Sequence, residues 1–162
     1  MNRSSIAVLG TIAQTAPSAS ALILRVGLGM VMLPHGLQKI FGWFGGGGWS
    51  GTMQYLTQNQ GIPSGLASLV ILTEFVGPLA LLAGCFARIA AFALGIEMTV
   101  AALTVHLSRG FFMDWHSKHA GEGYEFHLLA VSIAVAIMIQ GAGAFSLDRR
   151  ISAPAGSDPS IR

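Results

Sequence analysis

The sequence predicts an all-α integral membrane protein, a four-helix bundle of antiparallel spans with both termini cytoplasmic. Three observations predict it. Of the 162 residues, 52% are hydrophobic and only 10% are charged, against about 25% charged in an ordinary soluble domain. The mean hydropathy is +0.63. The apolar residues also gather into four runs, each close to the roughly 20 residues that a helix needs to cross a bilayer. A soluble chain would have almost no polar residues left to cover four helices that are apolar on every side.

The first run is Ala21 to Phe41, with Arg25, His35 and Lys39 as intruders near its ends. Gly65 to Cys85 is the second, and Glu74 is its one strongly polar interruption. Ile89 to Leu107 is the third and contains Glu97 and His106. Tyr124 to Gly143 is the fourth and opens with Glu125 and His127. Pro34 and Pro78 lie inside runs, where each removes a backbone donor and favours a kink. Gly27, Gly29 and Gly36 on the first run, and Ala90, Ala91, Ala93 and Gly95 on the third, predict close helix contacts.

The connections differ in kind. Only Phe86, Ala87 and Arg88 separate the second and third runs, which predicts a tight antiparallel hairpin. The segments 42–64 and 108–123 are longer loops. Trp43, Trp49, Tyr55, Trp115 and Tyr124 fall beside span ends, where amphipathic rings anchor at headgroup level. Residues 1–20 read as a flexible N-terminal tail: Arg3 and the short apolar stretch after it imitate a secretory signal, but Gly10 and Thr11 break that stretch. Residues 21–148 form the membrane domain, and 149–162 a cytoplasmic tail rich in Pro, Ser and Ala towards its end.

Charge sets the orientation. Arg3, Arg88, Arg149, Arg150 and Arg162 fall on the side of the termini, with Arg25 just inside. Lys39, Arg109 and Lys118 fall on the other. The basic excess stays cytoplasmic, which predicts a multi-pass protein with both termini inside and both long loops outside. All five histidines, His35, His106, His116, His119 and His127, then lie in the outer half or in an outer loop. Histidine ligates metals, carries protons or senses pH.

Glu74 and Glu97 fall near mid-membrane, where a charge costs about 2.5–3.5 kcal/mol on insertion scales. Such acids either form structural pairs or build proton and ligand sites. A depth difference of roughly 6 Å favours Arg25 as the partner of Glu97. Glu74 is within reach of His35, and Lys39 and Glu125 are both near the outer surface. Glu97 and His106 are nine residues apart, so a regular helix puts them on opposite faces. The economical site is therefore His35, Gln38, Lys39, Glu74, His106, Glu125 and His127. Of these, His35, Lys39, Glu74 and Glu125 are the candidate catalytic groups, and Gln38, His106 and His127 the candidate cofactor-binding groups.

Several classes lack their signatures. The single cysteine, Cys85, allows no internal disulfide or CxxC pair and reads as a small apolar residue. No HExxH or paired-cysteine spacing marks a metal site. Gly45 to Gly48 lacks the strand and helix of a phosphate loop. Nine basic residues spread thinly do not make a nucleic-acid surface.

The run Leu33-Pro34-His35-Gly36-Leu37-Gln38-Lys39, followed by Gly42-Trp43-Phe44, resembles the DoxX family. Gly61-Ile62-Pro63 before the span with Glu74 extends the likeness, as do Gly84 with Arg88, Thr104-Val105-His106 with Gly110-Phe111-Phe112, and Tyr124-Glu125. The likeness covers about Leu22 to Asp148, and order and spacing carry it more than any one motif. It implies a four-span inner-membrane protein. Its members are named for association with quinone-linked and sulfur- or thiol-linked oxidoreductase complexes. His35, Lys39, Glu74, Arg88 and Glu125 match recurrent polar positions of the family.

Two readings follow. In the first, the chain is a membrane subunit associated with an oxidoreductase rather than a complete enzyme, with a membrane or redox protein partner and the lipid around it. Quinone is then the favoured cofactor: His35 donates to a quinone oxygen, Glu74 relays the proton and Lys39 stabilises negative charge. Haem is the weaker alternative, with His35 and either His106 or His127 as axial ligands. In the second, the chain is a non-enzymatic scaffold or binding protein whose intramembrane charges are structural pairs. A channel or transporter is a weaker third option, since four spans leave little room for a gated path without a homo-oligomer.

Overall fold

The computed structural model describes residues 13–115 and 121–152. His116, Lys118 and His119, and the ends of both expected tails, lie outside the described residues. The helices are α1 (Ala19–Phe41), α2 (Gly48–Gln54), α3 (Ser64–Ala83), α4 (Ala87–Ala101), α5 (Glu125–Gln140) and α6 (Leu147–Ser152). A π turn, Tyr55–Asn59, extends α2. A second π turn, Ala102–His106, and a 3-10 turn, Leu107–Arg109, extend α4. α1, α3 and the segment Ala87–Arg109 are long and apolar enough to cross a membrane. α5 is equally apolar but has 16 residues, about 24 Å of helix.

α1, α3, α4 and α5 close a ring in chain order, each packed on the next and α5 on α1. Neighbours run antiparallel, as the small residues show. Gly29 lies against Pro78 and Leu82, while Gly36, further along α1, lies against Glu74 and Phe75, earlier in α3. Gly77 meets Leu94, and Gly95 meets Ala134. A Cβ at Gly36 would overlap the Glu74 carbonyl, so the α1–α3 approach requires glycine there. Gly27 has open space instead, so its place in α1 reflects no such contact. Both internal prolines sit within continuous helix, at Pro34 in α1 and Pro78 in α3.

Large apolar side chains such as Ile23, Met30, Leu69, Phe92, Leu129 and Ile139 are exposed. Arg25 and Glu74 are among the most buried residues. This inverts the soluble pattern and leaves an apolar girdle for lipid chains.

The end of the bundle where the described chain begins and ends, at Ala13 and Ser152, is tied by two arginines and an aspartate. The Arg25 guanidinium, 1% exposed, donates to Ala142 O (2.7 Å), Leu81 O (2.8 Å), Leu82 O (2.7 Å), Ala144 O (3.1 Å) and Phe145 O (2.8 Å). It thereby satisfies Leu82 O, which the last turn of α3 leaves open, adds a second donor to Leu81 O beside Gly84 N, and fastens the 142–145 turn beside them. Its acidic neighbour is Asp148. The expected Arg25–Glu97 pair does not form, because carbonyls at the bundle end saturate the guanidinium before any acid at mid-depth can.

Asp148 accepts from Phe86 N (2.6 Å) and Ala87 N (2.9 Å), capping α4 from a distant segment. The α3–α4 hairpin turns through Gly84 at φ 63° and Phe86 at φ 48°, and the aspartate holds that turn. Arg88 donates to the Met138 and Ile139 carbonyls at the end of α5, and to Gln14 O. The tail expected to be flexible through residue 20 is held from Ala13 onward. Ala13 is fully buried, the Thr15 hydroxyl accepts from Gly143 N (2.7 Å), and the Ser18 side chain caps α1.

Candidate functional site

Two acids, one lysine, His106 and His127 gather in the half of the bundle away from Ala13 and Ser152, with His35 exposed at its edge. Lys39 lies in the last turn of α1. Side chains on a helix lean towards its N-terminus, so its ammonium reaches back into the bundle and pairs with Glu74 of α3. Glu74 is 4% exposed and Lys39 is partly exposed. The expected Glu74–His35 and Lys39–Glu125 contacts are replaced by this one: the flexible lysine stem spans a depth that the short imidazole cannot.

Glu97 of α4 has Glu74 and Lys39 as its charged neighbours. Both of its carboxyl oxygens are buried and, among the described residues, have no hydrogen-bond partner. Helix phase had left Glu97 outside the site, yet it belongs there. The decisive signal in the sequence was its depth: Glu97 lies ten residues from the start of α4 and Glu74 nine from the end of α3, so antiparallel packing puts them level.

His106 closes the π turn of α4, and the His127 ring of α5 lies against it at 4.1 Å between centroids. His106 Nδ1–H donates to the Glu122 carbonyl (2.7 Å), since a carbonyl only accepts. That fixes the tautomer and leaves Nε2 without a proton when the ring is neutral. His127 is buried, its Nδ1 is unpartnered among the described residues, and its titratable neighbours are His106, His35 and Glu74. The wider π turn changes the helix phase between Glu97 and His106, so both border one polar cluster through Glu74 and His127. His35 is on an exposed face of α1, with Phe126 at 6.1 Å, and Phe126 also touches His127 at 5.7 Å.

Two expected members are engaged elsewhere. Glu125 accepts from Met113 N (3.1 Å) and so fastens the 110–115 loop to the start of α5. The Gln38 amide donates to Phe44 O (3.4 Å) and belongs to the loop side. Gln38 and Lys39 line a cavity of about 310 Å³ with Gly46, Gly47, Gly51, Thr52 and Tyr55. It opens between the end of α1 and α2. A separate apolar groove of about 260 Å³ runs between α4 and α5 past Phe92, Gly95, Val131 and Met138.

These observations bear on cofactors. An iron between two imidazoles needs ring centres about 6 Å apart, with metal–nitrogen bonds near 2 Å on each side. His106 and His127 are already in contact, so those two cannot be an axial pair with each other; both expected pairs take His35, whose ring is exposed on α1. Among the described residues, no three His, Cys, Asp or Glu side chains converge on a metal position. The Lys39 cavity suits the oxygen-bearing head of a small molecule: it has a cationic donor, an amide and a phenol, and is near the lower size limit of small-molecule sites.

The DoxX family model matches residues 20–107, the stretch that contains His35, Lys39, Glu74, Glu97 and His106. The chain is 32% identical over 137 residues to Inner membrane protein YqjF of Escherichia coli (strain K12), covering 81% of this chain and 91% of that protein. No solved structure matches at a comparable level. The apolar girdle, the membrane-length helices and these two matches agree, and the chain is a membrane protein that belongs to the DoxX family.

Proposed function

We propose that this protein is a four-span inner-membrane subunit of a quinone- or thiol/sulfur-linked oxidoreductase complex, with its polar site towards the outer face. The single observation that carries the reading is the Lys39–Glu74 pair, whose lysine lines the Gln38–Tyr55 cavity and whose glutamate is buried. A charged pair held within an apolar bundle, yet open to a cavity at one end, suits a site that binds an oxygen-bearing head group and exchanges protons. α5 serves as the fourth span, with Tyr124 and the buried Gly141 to Gly143 adding the length its 16 residues lack. Both termini then share the cytoplasmic side, following the arginine excess there.

In this reading Lys39 and Gln38 hold an oxygen of the bound head group, while Glu74 keeps the lysine in place. A bound quinone supplies two-electron acceptor chemistry, and the electrons come from a partner protein. Purification in mild detergent, lipid extraction and mass spectrometry test the idea. Quinone should copurify above the level of bulk solubilised membrane. Lys39→Met should lower it roughly tenfold, the worth of one charge-assisted hydrogen bond. Quinone at background in the wild type, with full complementation by Lys39→Met, would end the proposal.

One observation favours a scaffold instead: Lys39 and Glu74 already satisfy each other, as Arg25 and Asp148 do their surroundings. If the double variant Lys39→Met/Glu74→Gln restores complex assembly and growth, the pair is structural and the scaffold reading stands.

A further inference from the structure

We infer that Glu97 and Glu74 share one exchangeable proton, so that the bundle contains a proton-binding site beside Lys39 whether or not any redox partner or quinone is attached. The argument is a count of charges and hydrogens in one place. Glu74 is nine-tenths buried and paired with Lys39. Glu97 faces both of them from α4. Among the described residues, neither Glu97 oxygen receives a hydrogen bond, and both atoms are buried; the lysine ammonium goes to Glu74 Oε2 instead. An ionised carboxylate is an acceptor only, so two that face each other have no hydrogen between them. One lysine balances one of the two charges. The second charge would remain in an apolar bundle, repelled by the first and solvated by nothing.

A proton on Glu97 removes both faults. It cancels the unbalanced charge and supplies the O–H donor that the pair lacks, from Glu97 to Glu74, while Glu74 keeps Lys39. The other groups facing the site are His35 from α1, His127 from α5 and His106 beyond it. Neutral imidazoles leave this count unchanged. The remaining described glutamates differ in kind: Glu122 and Glu125 accept backbone N–H groups. The route for exchange runs through Glu74 to Lys39, which lines the cavity with Gln38: Glu97–OH passes its proton to Glu74, water in that cavity takes it, and water returns one.

Infrared spectroscopy of the full chain in detergent, with 13C in the glutamate side-chain carboxyls, tests this near neutral pH. The wild type should show the C=O stretch of a protonated carboxylic acid. The band should shift with the isotope, shift again in D2O within minutes, and integrate to about one carboxyl per chain. Glu97→Gln, which keeps the shape, should abolish it. Lys39→Met should double it, because no cation then balances either acid. A wild-type protein without the band overturns the inference, as does a band that survives Glu97→Gln unchanged. A folded Lys39→Met protein with no larger band also overturns it. If Lys39→Met fails to give a single gel-filtration peak, the wild type and Glu97→Gln decide the matter.

Discussion

Replacing Arg25 by methionine should destabilise the bundle more than any other single change at the end near Ala13 and Ser152. The guanidinium has five N–H donors, and the structure uses it for five carbonyl contacts spread over α3 and the 142–145 turn. At about 1 kcal/mol net per hydrogen bond, the upper bound is near 5 kcal/mol. Methionine recovers part of the packing and spares the desolvation of a cation, but it leaves Asp148 without its basic neighbour. The expected cost is about 3–5 kcal/mol, the range for breaking a buried charged contact. At ~2–4 °C per kcal/mol for a chain of this size, the midpoint should fall by roughly 10 °C. Arg25→Lys should recover less than half, because an ammonium cannot fork to several segments at once. The assay is thermal unfolding in detergent followed by near-ultraviolet circular dichroism. An Arg25→Met protein that melts within about 3 °C of wild type, equivalent to about 1 kcal/mol, would refute the clasp.

Four further outcomes are expected. Gly36→Ala should cost about 1–3 kcal/mol by forcing α1 off α3, whereas Gly27→Ala, facing open space, should be neutral or stabilise by about 0.5–1 kcal/mol; paired melts read the difference. Asp148→Asn should cost about 1–2 kcal/mol through the lost charged cap on α4, with faster hydrogen exchange at Phe86 and Ala87 as the local readout. In a double-mutant cycle, Lys39→Met and Glu74→Gln should each destabilise and their combination should cost less than the sum, by about 1–3 kcal/mol; additive effects would remove the ion pair as an energetic unit. A cysteine added after Arg162 should stay unreactive to an impermeant maleimide in intact cells and react after lysis, as the proposed cytoplasmic placement of the termini requires.

Hydrophobic run length made the helices legible in the sequence, because lipid penalises unpaired backbone whatever the packing. α1, α3 and the Ala87–Arg109 segment fall close to the runs that were read, and the DoxX likeness rested on residues within them. Small residues pointed to close helix contacts, and Gly29, Gly36 and Gly95 make them while Gly27 does not. His35, Lys39, Glu74, His106 and His127 were identifiable as polar groups in apolar runs. Their partners were not. Pairing by depth sent Arg25 to Glu97, when the guanidinium is held by carbonyls at the bundle end. Pairing by surface position sent Lys39 to Glu125, when the lysine folds back to Glu74.

The sequence by itself determined that the chain is helical and belongs in a membrane, since both follow from composition and local periodicity. Only the tertiary structure decided which polar groups meet. That choice depends on helix rotation, on the π turn that re-aims His106, and on which carbonyls the chain turns leave open. All three are set when neighbouring helices pack, and no property of a single segment records them.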